Sequence, residues 1–214
     1  MAYMKQVFIP VKADIDLLPV VKKYLTKLPK KIGLVTTVQF LYNIKEVETF
    51  LKKEGFHVEF GGQILGCKSP VFKDIDAVLF IGDGKFHPKG VYMRDKFQII
   101  LLDPFDESMS ILTSKDMEEL EKKKKGAYIK FLSSNKVGVI ISLKWGQEFM
   151  EPALRLEKKY PDKEFYYIAF ETIDFGELEN FPFIECFVNT ACPRIGYDDT
   201  NKFRKPVVNL TDVL

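Results

Sequence analysis

A seven-residue stretch, Lys31-Ile32-Gly33-Leu34-Val35-Thr36-Thr37, returns in similar form at an offset of 105 residues as Lys136-Val137-Gly138-Val139-Ile140-Ile141-Ser142. Each copy is a short continuous apolar run, the pattern of a strand buried on both faces in a parallel sheet. The segments after each copy keep the same order. An amphipathic helical pattern comes first: Ile44, Val47, Phe50 and Leu51 recur at three- and four-residue steps before Gly55, and Phe149, Ala153, Leu154 and Leu156 do so before Pro161. Strand-like runs at residues 56–60 and 165–170 come next, then runs at 76–82 and 184–190. A period near 100 residues is too long for a solenoid repeat. The pattern therefore predicts an α/β chain of two similar domains, each a small, mostly parallel sheet flanked by helices. A run at residues 97–102 ends the first copy, which puts the boundary near residues 104–110 and divides the chain into 1–106 and 107–214.

Composition alone would allow one large domain or two small ones, because 214 residues at 46% hydrophobic content can bury a sizeable core either way. Lys and Arg number 32 against 30 Asp and Glu, and the charges are interspersed, so no field of one sign points to nucleic acid or a membrane surface. The basic run Lys122, Lys123, Lys124 and Lys125 follows Glu118, Glu119 and Glu121 and reads as a solvated helix face. Residues 1–6 lead straight into a strand-like Val7-Phe8-Ile9 with no extended apolar region, and no run approaches the ~20 residues that span a bilayer. A cytoplasmic protein is expected, in which three cysteines serve as thiols or metal ligands rather than a disulfide framework.

Open parallel sheets bind ligands beyond the carboxyl ends of their strands. Two cysteines fall at such ends, Cys67 in Gln63-Ile64-Leu65-Gly66-Cys67 and Cys192 in Asn189-Thr190-Ala191-Cys192-Pro193-Arg194. Neither belongs to a CxxC pair, which disfavours a zinc ribbon or a thioredoxin-type motif. Thiolates from distant loops suit a soft metal or an iron-sulfur cluster; two buried structural thiols fit the same placement. Cys186 lies inside a strand six residues before Cys192, roughly 20 Å away if the chain stays extended, and reads as core. Gly82-Asp83-Gly84 is neither a GxGxxG nor a P-loop. The turn Ser142-Leu143-Lys144-Trp145-Gly146-Gln147 offers a hydroxyl, a lysine and backbone donors to a carboxylate or phosphate, or is a plain connection. His57 reads as structural, and His87 lies in a predicted loop where it lines a pocket or simply makes a turn.

Taken together, these segments resemble the diphthamide-synthesis family, the enzymes that make 2-(3-amino-3-carboxypropyl)histidine on translation elongation factor 2. Residues 62–67 look like the family's GQVLGC, and 80–90 like its FIGxGxFHPLG. Residues 141–147 look like its VSTKPGQ, and Asn189 to Arg194 followed by Asp198-Asp199 and Lys205-Pro206 looks like its closing NTACPR, DD and KP pattern. The resemblance covers nearly the whole chain. It implies a 4Fe-4S cluster held by three cysteines, one from each of three similar α/β domains, with S-adenosylmethionine at the open iron. Reductive cleavage would give a 3-amino-3-carboxypropyl radical that adds to a histidine of the elongation factor.

By match, Cys67 would be the middle-domain ligand and Cys192 the last-domain ligand. Ser142, Lys144, Gly146 and Gln147 would lie near S-adenosylmethionine, with Gly82 and Gly84 also on the cofactor side; no catalytic residue is assigned. The sequence begins where the family's middle domain begins, so two of the three cluster cysteines are expected here. Another chain would supply the third: a separate first-domain protein, a full-length paralogue or a symmetry mate. The other reading is a non-catalytic binding or scaffold paralogue without a complete cluster. No membrane and no direct nucleic-acid contact are expected in either case.

Overall fold

The first copy of the repeat folds as strand β1 (Lys31–Thr36), buried from Ile32 onward, because an all-apolar run has no face to give to water. It lies between β2 (His57–Gln63) and β3 (Ala77–Ile81), both parallel to it. Parallel β4 (Gln98–Asp103) and antiparallel β5 (Ser108–Ile111) complete the order β2-β1-β3-β4-β5. Helices α1 (Leu18–Tyr24), α2 (Ile44–Lys53) and α3 (Phe86–Asp95) accompany this sheet. The apolar stripe of α2 buries Ile44, Val47 and Leu51 in one core with Ile32 and Leu34 of β1. Its end is marked by Gly55 at φ +78°, a left-handed conformation natural to glycine.

These observations come from a computed structural model that describes residues 9, 11–65, 70–144 and 150–214. It divides into two compact units, Met1–Thr113 and Ser114–Leu214. The division falls after Thr113 rather than at 106/107, because β5 pairs with β4 and so belongs to the first sheet. Val7 and Phe8 of the strand-like start lie outside the described residues.

The second unit opens with α4 (Ser114–Ser133), followed by β6 (Lys136–Ser142), the second copy of the repeat. Then come α5 (Met150–Ala153), α6 (Arg155–Lys159), β7 (Glu164–Phe170), β8 (Cys186–Asn189), α7 (Ile195–Asp198), β9 (Val207–Asn209) and α8 (Leu210–Val213). Its sheet is parallel throughout, in the order β7-β6-β8-β9. That is the order β2-β1-β3-β4 over again, so the duplication inferred from the sequence extends to topology. Ala153 and Leu156 are fully buried, whereas Leu154, at the break between α5 and α6, is 40% exposed; Phe149 lies outside the described residues.

The lysine run lies on α4 as a largely solvated face. Lys122 pairs with Glu118 at 2.5 Å and Lys123 with Glu119 at 2.9 Å, both one helical turn apart, while Lys124 reaches Asp212 at 2.6 Å. The glycine shared by the two repeats has one job in both. A methyl group at Gly33 would lie 2.8 Å from the Phe72 ring, and one at Gly138 would lie 2.6 Å from the Phe187 ring. Each glycine lets an aromatic ring rest directly on the strand backbone. Among the described residues, no helix is long and apolar enough to cross a membrane.

Candidate functional site

The loop that carries Cys192 leaves the carboxyl end of β8 under the control of two buried asparagines. Asn189 ends β8 and Asn209 ends β9, in register with one another, and they are only 1% and 2% exposed. Asn189 Nδ2 donates to Asn209 Oδ1 at 2.7 Å and to the Cys192 carbonyl at 2.9 Å, while Asn189 Oδ1 accepts from the Ala191 amide at 3.1 Å. Asn209 Nδ2 donates to the Pro193 carbonyl at 2.9 Å. Thr190 adds a hydroxyl bond to the Ile140 carbonyl at 2.8 Å, and buried Arg194 pairs with Asp198 at 2.5 Å. The backbone on both sides of Cys192 is thereby fixed, while the cysteine itself is half-buried.

Cys186 sits in a different environment. It is 1% exposed inside the core of the second unit, and burial pushes its thiol up, against the partial relief of a hydrogen bond to Ser134. A thiol held protonated in apolar surroundings is a poor ligand. Cys192, half-exposed on a pinned loop at a sheet's carboxyl edge, fits a thiolate ligand to a soft metal or cluster. Cys67 lies outside the described residues, and among those described no three His, Cys, Asp or Glu side chains gather as a metal site.

Ser142 ends β6, on the strand next to β8, and is 2% exposed. Its Oγ accepts from the Lys144 amide at 3.2 Å, a local turn contact. Gly146 and Gln147 lie outside the described residues. Beside Ser142 opens a cavity of about 260 Å³ lined by Ile141, Leu143, Met150, Tyr167 and Ala169. The Tyr167 hydroxyl donates to Glu157 at 3.1 Å, and burial, with that bond, pushes its pKa up to about 12.

In the first unit, Gly82 and Gly84 follow β3. The Gly82 amide donates to the Leu102 carbonyl at 3.0 Å, Gly84 takes φ +69°, and Asp83 between them accepts from Gln39 Nε2 at 3.1 Å. Thr36 ends β1 and donates its hydroxyl to the Ile81 carbonyl at 2.6 Å, and buried Thr37, just beyond the strand, is the repeat counterpart of Ser142. His87 is not in a loop. It lies in the first turn of α3 with its ring edge-on to Phe86, since Pro88 at a helix start loses only an amide that would have lacked a helical partner.

Thus Ser142, Lys144 and Cys192 share the carboxyl end of the second sheet, whereas Gly82 and Gly84 occupy that end of the first. The residue that sequence reasoning missed is Asn209. The signal was a polar side chain interrupting the apolar run Val207-Val208-Asn209-Leu210 at the place where the first copy has its fourth strand.

The comparisons with known proteins agree with this architecture. The family model described as "Putative diphthamide synthesis protein" matches residues 2–213. A 2-(3-amino-3-carboxypropyl)histidine synthase of Pyrococcus horikoshii is 34% identical over 222 aligned residues, covering 97% of this chain and 64% of that protein. A 2-(3-amino-3-carboxypropyl)histidine synthase subunit 1 of Encephalitozoon cuniculi is 28% identical, covering 97% of this chain and 62% of that one. The crystal structure of Dph2 from Pyrococcus horikoshii with a 4Fe-4S cluster superposes with a TM-score of 0.85 at 32% identity, covering 96% of this chain and 64% of that one. The chain spans just under two thirds of the length of these relatives. With the family model matched almost end to end and the duplicated sheets reproduced in a solved relative, this chain belongs to the diphthamide synthesis protein family.

Proposed function

We propose that this chain forms part of a 3-amino-3-carboxypropyl-transferring enzyme that uses S-adenosylmethionine to modify a histidine of translation elongation factor 2. In this reading Cys67 and Cys192 supply two ligands to a 4Fe-4S cluster, and a third sulfur comes from outside these 214 residues. The observation that carries it is the setting of Cys192, a half-exposed thiol on a loop pinned at both sides, in a chain similar to a protein solved with such a cluster. When bound, a cluster of this kind supplies the electron for reductive cleavage of S-adenosylmethionine. The chain's own residues bind and orient. Cys192 anchors, and the Ser142 to Gln147 turn, with Lys144, receives the carboxylate of the aminocarboxypropyl group. In the first unit Gly82 and Gly84 are the residues assigned to cofactor binding, where backbone without side chains leaves room for a ligand.

Anaerobic reconstitution with iron and sulfide tests this reading. The isolated chain is expected to give little stable 4Fe-4S absorbance, a cysteine-donating relative to restore it, and Cys192→Ser to abolish the restoration. A full, stable cluster on the isolated chain would overturn the three-sulfur arrangement. Persistence of elongation-factor modification in cells carrying both Cys67→Ser and Cys192→Ser would overturn the catalytic reading in favour of a scaffold role.

A further inference from the structure

We propose that Asn189 and Asn209 are positioning residues for the Cys192 sulfur: a two-asparagine clamp, one side chain from each of two neighbouring strands, fixes the loop in which the thiol sits. The clamp depends on the reading of Cys192 as a ligand only for its purpose; its existence stands on geometry.

Each amide in the clamp can be oriented in one way alone. The Ala191 N–H can only donate and the Cys192 carbonyl can only accept, so Asn189 must turn Oδ1 to the first and Nδ2 to the second. The Pro193 carbonyl likewise demands Asn209 Nδ2, which leaves Asn209 Oδ1 facing the remaining N–H of Asn189. Both donors of Asn189 are used, and both carbonyls at the Cys192-Pro193 step are held, one by each asparagine. These side chains are almost fully buried, so water cannot replace a partner that is lost. Gly196 completes the device. It is buried in α7, and a methyl group there would collide with the Asn209 amide, so Asn209 reaches its place only because residue 196 has no side chain.

A merely structural pair would stabilise the whole unit, whereas a clamp controls one loop, and the two cysteines of the second unit separate these cases. Cys192 is half-exposed on the clamped loop, and Cys186 is buried in the core. Alkylation by iodoacetamide of the metal-free, full 214-residue chain, resolved by peptide mass, reads both. In Asn209→Ala the Cys192 rate is expected to rise by about 5- to 30-fold, the effect of losing one or two buried hydrogen bonds, with Cys186 still protected. Gly196→Ala, which leaves both asparagines in the sequence but displaces Asn209, is expected to do the same. Asn209→Asp keeps the shape but turns an oxygen to the Pro193 carbonyl, and is expected to follow Asn209→Ala.

A Cys192 rate unchanged in Asn209→Ala and Gly196→Ala overturns the clamp, as does a rise at Cys186 in step with Cys192 in both. The rate of iron loss to a chelator from protein reconstituted with a cysteine-donating relative distinguishes failure of the ligand reading. Faster alkylation with unchanged iron loss leaves the clamp intact and overturns Cys192 as a ligand.

Discussion

Gly138→Ala tests the packing principle that both units share. A methyl group at this position would lie 2.6 Å from Phe187 Cδ1 and Cε1 and 2.8 Å from Ile184 Cδ1, where carbon atoms in contact prefer ~3.5–4.0 Å. Phe187 is 2% exposed and Ile184 1%, and Cδ1 lies close to the root of its ring, so the ring cannot swing clear without moving β8. The cost therefore belongs near the top of the range for overpacking, about 3 kcal/mol. Replacing glycine within a strand returns roughly 0.5–1 kcal/mol of backbone entropy, which leaves a net loss of about 2 kcal/mol. Amide exchange along β6, followed by peptide mass through a urea titration, reports on this sheet. At a slope of about 2 kcal/mol per molar, the midpoint should fall by roughly 1 M. Gly33→Ala should cost less, because the atoms it meets are the far end of the Phe72 ring and Ile75 Cδ1, and Phe72 is outside any helix or strand. A Gly138→Ala midpoint at or above that of the parent would refute the view that an immobile ring rests on this strand.

Lys205 directs its ammonium at the carbonyls of Phe181 (3.2 Å), Pro182 (2.8 Å) and Ile184, so Lys205→Met should cost about 2 kcal/mol and speed hydrogen exchange at the Ile184 amide; unchanged exchange would show that the segment holds itself. The hydroxyl of Tyr167 has a pKa raised to about 12, so the folded state holds its proton over a range in which the unfolded chain has lost it. That contribution to stability is complete below pH ~10 and is lost as pH rises through about 12. Tyr167→Phe should accordingly flatten the alkaline fall in stability between those limits, measured by urea unfolding at a series of pH values.

The parts of the fold most legible in the sequence were those where burial constrains composition most. β1 and β6 have neighbours on both edges and cores on both faces, so neither tolerates a polar interruption before its end, and the repeat survives there as readable text. At the sheet margins the constraint weakens. β9 has three residues, too few for a pattern, and β5, Ser108-Met109-Ser110-Ile111, buries little of itself and reads as a linker. The first turn of α3 was obscured because Gly84, Pro88 and Gly90 are turn residues by composition, yet a proline in a first helical turn breaks no helical bond. At the candidate site, Cys192 could be found from its own neighbourhood in the chain. Its clamp could not, because Asn189 and Asn209 meet only once β8 and β9 are paired.

The strand registers show that the two cysteines are not equivalents within the duplication. Ile32 of β1 faces Ala77 of β3, and Val137, its counterpart in β6, faces Cys186 of β8. Counting forward from these pairs, Ile81 corresponds to Thr190, Gly82 to Ala191 and Asp83 to Cys192. The first unit therefore has an aspartate between two glycines where the second has its half-exposed thiol, and Cys67 instead follows β2, the counterpart of β7. The two carboxyl edges tie their central strands with the same threonine-to-carbonyl bond made in opposite directions: Thr36 at the end of β1 bonds to β3 in the first unit, and Thr190 just beyond β8 bonds back to β6 in the second. Duplication thus accounts for the sheets and for the glycines beneath Phe72 and Phe187, but not for the positions of the sulfurs. Those depend on the loop that follows each strand, and in the second unit the asparagines that end β8 and β9 lock the backbone of that loop around Cys192.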